Sequence, residues 1–216
     1  MSTRPLFLAA LPVLLPLVAC DGATGPVTIT IGSEPALDGS VDSQGVVDAS
    51  SPEMEIGRNA QGYGVRGFLA FDVADLVPQA GETIEIVSAD LSVYENNFNL
   101  LPWDTMGNAF LEIVDHGASL DAADFDTDPL VDAGVASSGS NFLDYHELSV
   151  GLAVQQFFDE GVSDSWLQFR IRFVDDSDTE DATLSDNHWD LNTAEATEPP
   201  DSGPEITIVY EIIEEG

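Results

Sequence analysis

The sequence predicts an all-β protein, a jelly-roll β-sandwich with one short helix, on three observations. From Val27 onward, short β-favouring runs are broken by Gly, Pro, Asp and Ser, with little sustained helical periodicity. Several of those runs alternate apolar and polar residues, the period of a strand with one buried face. Cys20 is the only cysteine, so stability has to come from a packed core, and the length suits one sandwich domain, expected over 27–216.

The elements follow in order. Val27–Ile31 opens the domain as a β-branched run, and Glu53–Arg58 follows after a weaker candidate near Val46. Val65–Val73 contains Phe68-Leu69-Ala70-Phe71, apolar on both faces, which marks a central strand. Ile84–Glu95, Ala109–His116 and Tyr145–Ser149 are the next strands. Val150–Glu160 breaks the pattern: Ser149 is placed to cap a helix whose Val150, Val154, Phe157 and Phe158 share an apolar side. In Trp166–Val174, Leu167, Phe169, Ile171 and Phe173 face one way, and Trp166, Gln168, Arg170 and Arg172 the other, predicting one core face and one polar face. After a weaker candidate near Trp189, Glu205–Ile212 alternates again and closes the domain. Eight or more strands point to a sandwich or jelly roll. Asp121–Asn141 and Asp175–Asp186 read as acidic loops long enough to carry function.

Residues 1–19 form a signal peptide. Arg4 precedes an apolar run from Pro5 to Ala19 that is short for a bilayer span and interrupted by Pro12 and Pro16. The run ends in Leu17-Val18-Ala19-Cys20, which resembles the cleavage box of bacterial lipoprotein signals. The resemblance implies cleavage before Cys20, lipidation of its sulfur and acylation of the new amino terminus, which together anchor the chain stably to a membrane. Residues 20–26 then form the lipidated cysteine and a tether of about 20 Å. The expected location is the bacterial cell envelope, on the periplasmic or the outer surface.

Charge narrows the partners. Arginine is the only base in the chain, and loss of the segment with Arg4 leaves Arg58, Arg66, Arg170 and Arg172 against 40 acidic residues, a side-chain charge of −36. Such a field repels nucleic acid and anionic headgroups, so no nucleic-acid partner is expected, and it suits high salt or divalent cations. Without lysine, Schiff-base, P-loop and Ser–Lys chemistry are excluded. There is no Gly-x-Ser-x-Gly elbow, and no metal-binding or catalytic spacing links His116, His146 and His188. A non-catalytic role is expected.

Three segments in order, Ile56-Gly57-Arg58-Asn59, Arg66 to Val73 and Ser88 to Tyr94, carry a wider likeness. With the helix near Val150–Phe158, the strand Leu167 to Phe173 and the strand Glu205 to Tyr210, the chain resembles the DNRLRE-domain family of secreted bacterial proteins. The resemblance spans roughly Glu34 to Tyr210 and implies a jelly-roll sandwich like those of carbohydrate-binding modules. It assigns no ligand residue, because the matching positions are strand-core positions.

Glycan binding asks for aromatic faces that stack on sugars, with planar polar groups at the rim. The candidates are Trp103, Trp166 and Trp189, with Arg170 and Arg172 on the Trp166 face, and Tyr94. The competing structural reading pairs the two arginines with carboxylates. For metal, Asp175, Asp176, Asp178 and Glu180, together with Asp121 and Asp124, offer hard oxygen ligands of the kind calcium takes, as a structural ion. This run is no EF-hand: counting from Asp176 puts Asn187, not Glu, at the closing position. Two functions are expected from these features, a glycan-binding envelope lipoprotein or a structural and adhesive one that contacts protein.

Overall fold

The computed structural model describes residues 25–78, 81–137, 139, 144–160 and 165–214. Cys20, the signal segment and most of the tether lie outside them. Among the described residues twelve strands occur: β1 (Val27–Gly32), β2 (Gly39–Asp42), β3 (Val47–Asp48), β4 (Glu53–Arg58), β5 (Gly64–Asp72), β6 (Glu82–Phe98), β7 (Ala109–Val114), β8 (Val131–Ser137), β9 (Tyr145–Ser149), β10 (Trp166–Phe173), β11 (Asn187–Asn192) and β12 (Glu205–Glu214). Helix α1 (Pro102–Met106) and helix α2 (Gly151–Asp159) complete the fold. The protein is the all-β sandwich that the sequence predicts, with α2 as its main helix.

The strands form one antiparallel sheet in the order β1-β12-β6-β11-β4-β5-β10-β7-β8, curled so that its two ends face each other across a core. The turn is made by β6, whose 17 residues pair with β12 and β9 along one stretch and with β11 near Phe98. Period-two alternation builds the core. Met54 and Ile56 of β4, Leu69 and Phe71 of β5, Leu167, Phe169, Ile171 and Phe173 of β10, and Ile206 and Ile208 of β12 all point into one buried cluster. Ala153, Val154 and Phe157 of α2 join it, while Leu152 on the opposite side is 91% exposed.

Helix α2 also closes a sheet edge. The side-chain amide of Gln155 accepts from Ile86 N at 2.6 Å and donates to Ile84 O at 3.2 Å, taking the place of a neighbouring strand beside β6. The helix begins one residue later than expected, with Val150 at the cap position and no side-chain capping bond, so Ser149 ends β9 instead.

The outer face of β10 corrects a sequence expectation. Gln168 and Arg170 lie on the face expected to be polar and open, yet both are buried. Residues 115–130 fold back over that face and seat Leu120 and Phe125 against Val41, Phe68 and Val114 in a second apolar cluster. Arg170 holds the cover down by donating to Phe125 O at 3.3 Å and Thr127 O at 2.6 Å. Part of the expected acidic loop 121–141 is also a strand, since β8 pairs with β7 through two register shifts. Those irregularities and Gly134 blur the alternation that would have marked it.

Candidate functional site

A groove of about 390 Å³ lies on the outer face of the sheet, across β2, β3, β4 and β11. Alternation sets its floor. With Met54, Ile56, Trp189 and Leu191 turned into the core, Glu53 and Glu55 of β4 and His188 and Asp190 of β11 turn outward. Antiparallel register places Glu55 directly opposite Asp190 and His188 opposite Gly57. Ser40 and Asp42 come from β2, Asp48 from β3, and Asn59 and Gln61 from the turn between β4 and β5.

That turn and the neighbouring turn between β2 and β3 are fixed by side chains. Asp42 accepts from the backbone N–H of Gln44 and of Val46 and from the Asn59 amide at 3.3 Å, while Asn59 Oδ1 accepts from Gln61 N and Tyr63 N. The loop after β10 packs against the same turn. At Gly62 (φ +81°) and at Gly64, the backbone of Thr179 and of Asp176 occupies the space a Cβ would need.

The groove is anionic and internally coupled. His188 Nε2 is 3.4 Å from Asp190 Oδ2, and its Nδ1 is 3.7 Å from both Glu55 Oε1 and Asp186 Oδ1. Burial alone would lower the His188 pKa; the Asp190 hydrogen bond and the charges of Asp190, Glu55 and Asp186 outweigh it and raise the value. Burial raises the Glu55 pKa, the His188 charge opposes the rise, and Asp190, Asp186 and Asp42 reinforce it. Glu55 Oε1 and His188 Nδ1 are both enclosed and make no hydrogen bond.

The residues expected from sequence to bind a ligand are distributed differently. Trp189 is fully buried and donates its indole N–H to the buried Glu95 at 3.0 Å, so it has no face open to a sugar. Trp103 packs edge-on against Phe98 and Phe173 and tilted against Trp189 at the core margin. Arg170 and Arg172 do come together, but on Glu112, whose two carboxylate oxygens accept from both guanidinium groups. The structural reading of these two arginines therefore describes them, and Arg170 is closed to ligand. Trp166 is half-buried at the start of β10, opposite Asp72, and Tyr94 packs edge-to-face on Tyr145 at 5.0 Å on the other layer. The expected platform of Trp166, Arg170 and Arg172 is thus not assembled on one open face.

The acidic loops are likewise engaged with the chain itself. Asp176 receives the Arg66 guanidinium at 2.7 Å, and Asp175 receives Arg58 at 3.3 Å and the Ser177 hydroxyl at 2.6 Å. Asp178 accepts from Ser43, Gly64 N and Gln44. Asp121 accepts from Ala123 N, and the buried Asp124 accepts from Asp121 N. Glu180 stands in the same loop, between Thr179 and Asp181. Among the described residues no group of three or more carboxylate or imidazole side chains gathers in a metal-holding arrangement. The oxygens of Asp121, Asp124, Asp175, Asp176 and Asp178 thus accept from backbone, hydroxyl, amide and arginine donors of the chain itself.

The groove residues Asp42, Glu55, Asn59, Gln61 and Asp190 were not singled out by sequence. The outward alternation in Glu53–Arg58 and Asn187–Asn192 was the available signal, but only the register brings those outward positions together. Compared with known proteins, the chain matches no family model, and no curated protein matches it.

Proposed function

We propose that this chain is a lipid-anchored, non-catalytic domain of the bacterial cell envelope that binds glycan in the groove across β2, β3, β4 and β11. The observation that carries the reading is the groove itself. Its volume is that of a small-ligand site, and its walls present planar carboxylates and amides, the groups that bind pairs of sugar hydroxyls. The likeness to the DNRLRE-domain family supports the same reading, and the lipoprotein signal supports the anchor at Cys20. Recognition here rests on polar groups on a sheet face, not on the indoles of Trp103 and Trp189.

The test is retention of residues 21–216 on a panel of immobilised polysaccharides, with calcium and again with chelator. Retention lost on Glu55→Ala or Asn59→Ala supports the groove. Retention that survives both substitutions removes the groove from the reading, and no retention on any polysaccharide removes the glycan. Loss with chelator alone would give a structural calcium ion a role.

One observation favours the second reading, a structural or adhesive lipoprotein that contacts protein. Leu152 of α2 and Val87 of β6 are exposed at a depression of about 550 Å³ between the helix and the sheet. Protein capture abolished by Leu152→Ser, without glycan retention, would establish it.

A further inference from the structure

The sheet runs from β1 to β8, and its two edges are finished differently. At β8 the outward row of backbone groups is broken: Asp132 puts a charge on the strand, Gly134 has φ +99°, and the pairing with β7 slips twice. The stretch of β6 beside α2 is closed by Gln155. Charges, bulges and covering groups are the devices that keep a sheet edge from pairing with another chain. Strand β1 has none of them. Val27-Thr28-Ile29-Thr30-Ile31-Gly32 carries no charge and no proline, and its register with β12 runs unbroken through all six residues. Among the described residues no strand pairs with its other side.

Register fixes which groups that side presents. Ser33 N donates to Pro204 O at 2.9 Å, one step beyond the Gly32–Glu205 pair, so Ser33 and Pro204 face each other as a hydrogen-bonded pair. Such pairs alternate along an antiparallel ladder. Ile31 and Ile29 therefore bond to β12, while the N–H and C=O groups of Gly32, Thr30 and Thr28 point to the free edge. Beside that edge the core is open. A depression of about 420 Å³ runs along Ile29–Gly32, lined also by Val73, Leu76 and Tyr210. Ile29 and Ile31 pack on the core yet are only half-buried. Asp72 and Asp75, both exposed, stand in the same lining.

We propose that the free edge of β1 takes up an extended, basic segment of another polypeptide as a further strand. Backbone pairing with Thr28, Thr30 and Gly32 supplies affinity, and every second side chain of the segment, apolar, covers Ile29 and Ile31 in the depression. Lysine or arginine among its other residues lies in the field of Asp72 and Asp75. Charge selects the source. A second copy brings its own Asp72 and Asp75 and its own excess of carboxylates, and all four arginines among the described residues are already held by carboxylates of their own chain. A basic segment meets no such opposition. The depression shares no residue with the groove across β2, β3, β4 and β11, so the proposal goes beyond glycan binding and does not rest on it.

The test combines residues 21–216 with a short peptide of alternating lysine and valine, capped at both ends. Amide hydrogen exchange supplies a readout that charge alone does not move. On saturation with the peptide, the N–H groups of Thr28, Thr30 and Gly32 should gain protection, while those of Ile29 and Ile31, already paired with β12, change little. The same peptide N-methylated at every residue keeps its charge and side chains and loses its donors; by titration calorimetry at moderate salt it should bind about tenfold or more weakly. Thr30→Pro removes one outward N–H without touching the backbone bonds to β12 and should weaken the unmethylated peptide about tenfold. Asp75→Lys should weaken it severalfold, and Asp128→Lys, the same charge change at an exposed position after β7, should do less. If Thr30→Pro does not fold, the exchange pattern and the methylated peptide decide. Absence of binding, equal binding of the methylated peptide, or protection spread evenly over β1 overturns the proposal. So does a concentration-dependent dimer of the parent that Thr30→Pro abolishes, which gives the edge to a second copy. Retention of Thr30→Pro on polysaccharide should match that of the parent, so failure of this proposal and failure of the glycan reading are read separately.

Discussion

Glu112→Gln is the substitution from which the fold has most to lose. Glu112 is 7% exposed and is held by Arg170, 3% exposed, at 2.6 Å, and by Arg172, 28% exposed, at 2.8 Å. Burial alone would raise the Glu112 pKa, but hydrogen bonds from Arg172 and Arg170 overcome it and hold the value below the ordinary one. The amide keeps the shape and removes the charge, so Arg170 is left as a buried cation with carbonyl partners only. Removing one partner of a buried pair costs about 3–5 kcal/mol, and the Arg172 contribution, partly open to water, adds under about 1 kcal/mol. With a urea slope of about 2 kcal/mol/M, the unfolding midpoint should fall by roughly 1.5–3 M at unchanged slope. The sign of the pH effect is fixed as well. A carboxylate with a lowered folded pKa contributes stability above its unfolded value of 4.5 and loses it as pH falls through the folded value. The gap between parent and variant should therefore be full at neutral pH and narrow progressively as pH falls below 4.5. A midpoint shift under about 0.5 M at neutral pH would refute the claim that this trio ties β7, β10 and the 115–130 segment together.

Other expectations follow from the same structure. Gln155→Ala removes both bonds to the free edge of β6 and should cost about 1–3 kcal/mol, read by urea unfolding, whereas Gln156→Ala on the exposed side of α2 should cost under about 0.5 kcal/mol. Burial raises the Asp38 pKa from 3.8 to about 7 despite bonds from Ser33, Ala70 and Ala194, so its contribution to stability is full below pH 4 and lost as pH rises through 7; Asp38→Asn should flatten the thermal midpoint between those limits. Because the arginines are few and already paired, added sodium chloride should raise the thermal midpoint of the parent steadily by screening carboxylate repulsion. Cys20→Ser should move the chain from the membrane fraction to the soluble one, read by fractionation and mass spectrometry.

Strong alternation and apolar runs made most strands legible: Glu53–Arg58 and Tyr145–Ser149 have the expected bounds, and the helix is within one residue at each end. Strand β8 was not legible, because its pairing slips twice and its residues are small. Nor was the burial of Arg170. Alternation assigns that residue to the outer face, and nothing local reveals that residues 115–130 return to cover it. The groove was illegible for a related reason. Glu55 and Asp190 are 135 positions apart in sequence, and only strand pairing makes them neighbours. Trp189 and Trp103 misled for the opposite reason: aromatic residues suit a core as well as a ligand platform, and their neighbours in sequence do not distinguish the two.

The placement of four arginines in so acidic a chain shows where negative charge is structural and where it is left free. Each arginine sits where chain segments must be drawn together: Arg58 and Arg66 bind the loop after β10, Arg66 also lies over the Phe125 ring at 4.0 Å, and Arg170 and Arg172 converge on β7. At those points a carboxylate is answered from within the chain, so it gains stability and loses any capacity for ligand. The groove across β4 and β11 is built on the same sheet, a few residues from Arg58 in β4, yet no arginine reaches it. A directly opposed Glu55–Asp190 pair could have been neutralised by one Lys or Arg at Ser40 or Gln61, both already in the lining. Gln61→Lys is therefore a discriminating change. If the groove's charge serves only solubility, the substitution should stabilise the fold and alter nothing else. If the groove binds glycan as proposed, the same substitution should stabilise the fold and abolish polysaccharide retention, and the two effects are read on one sample.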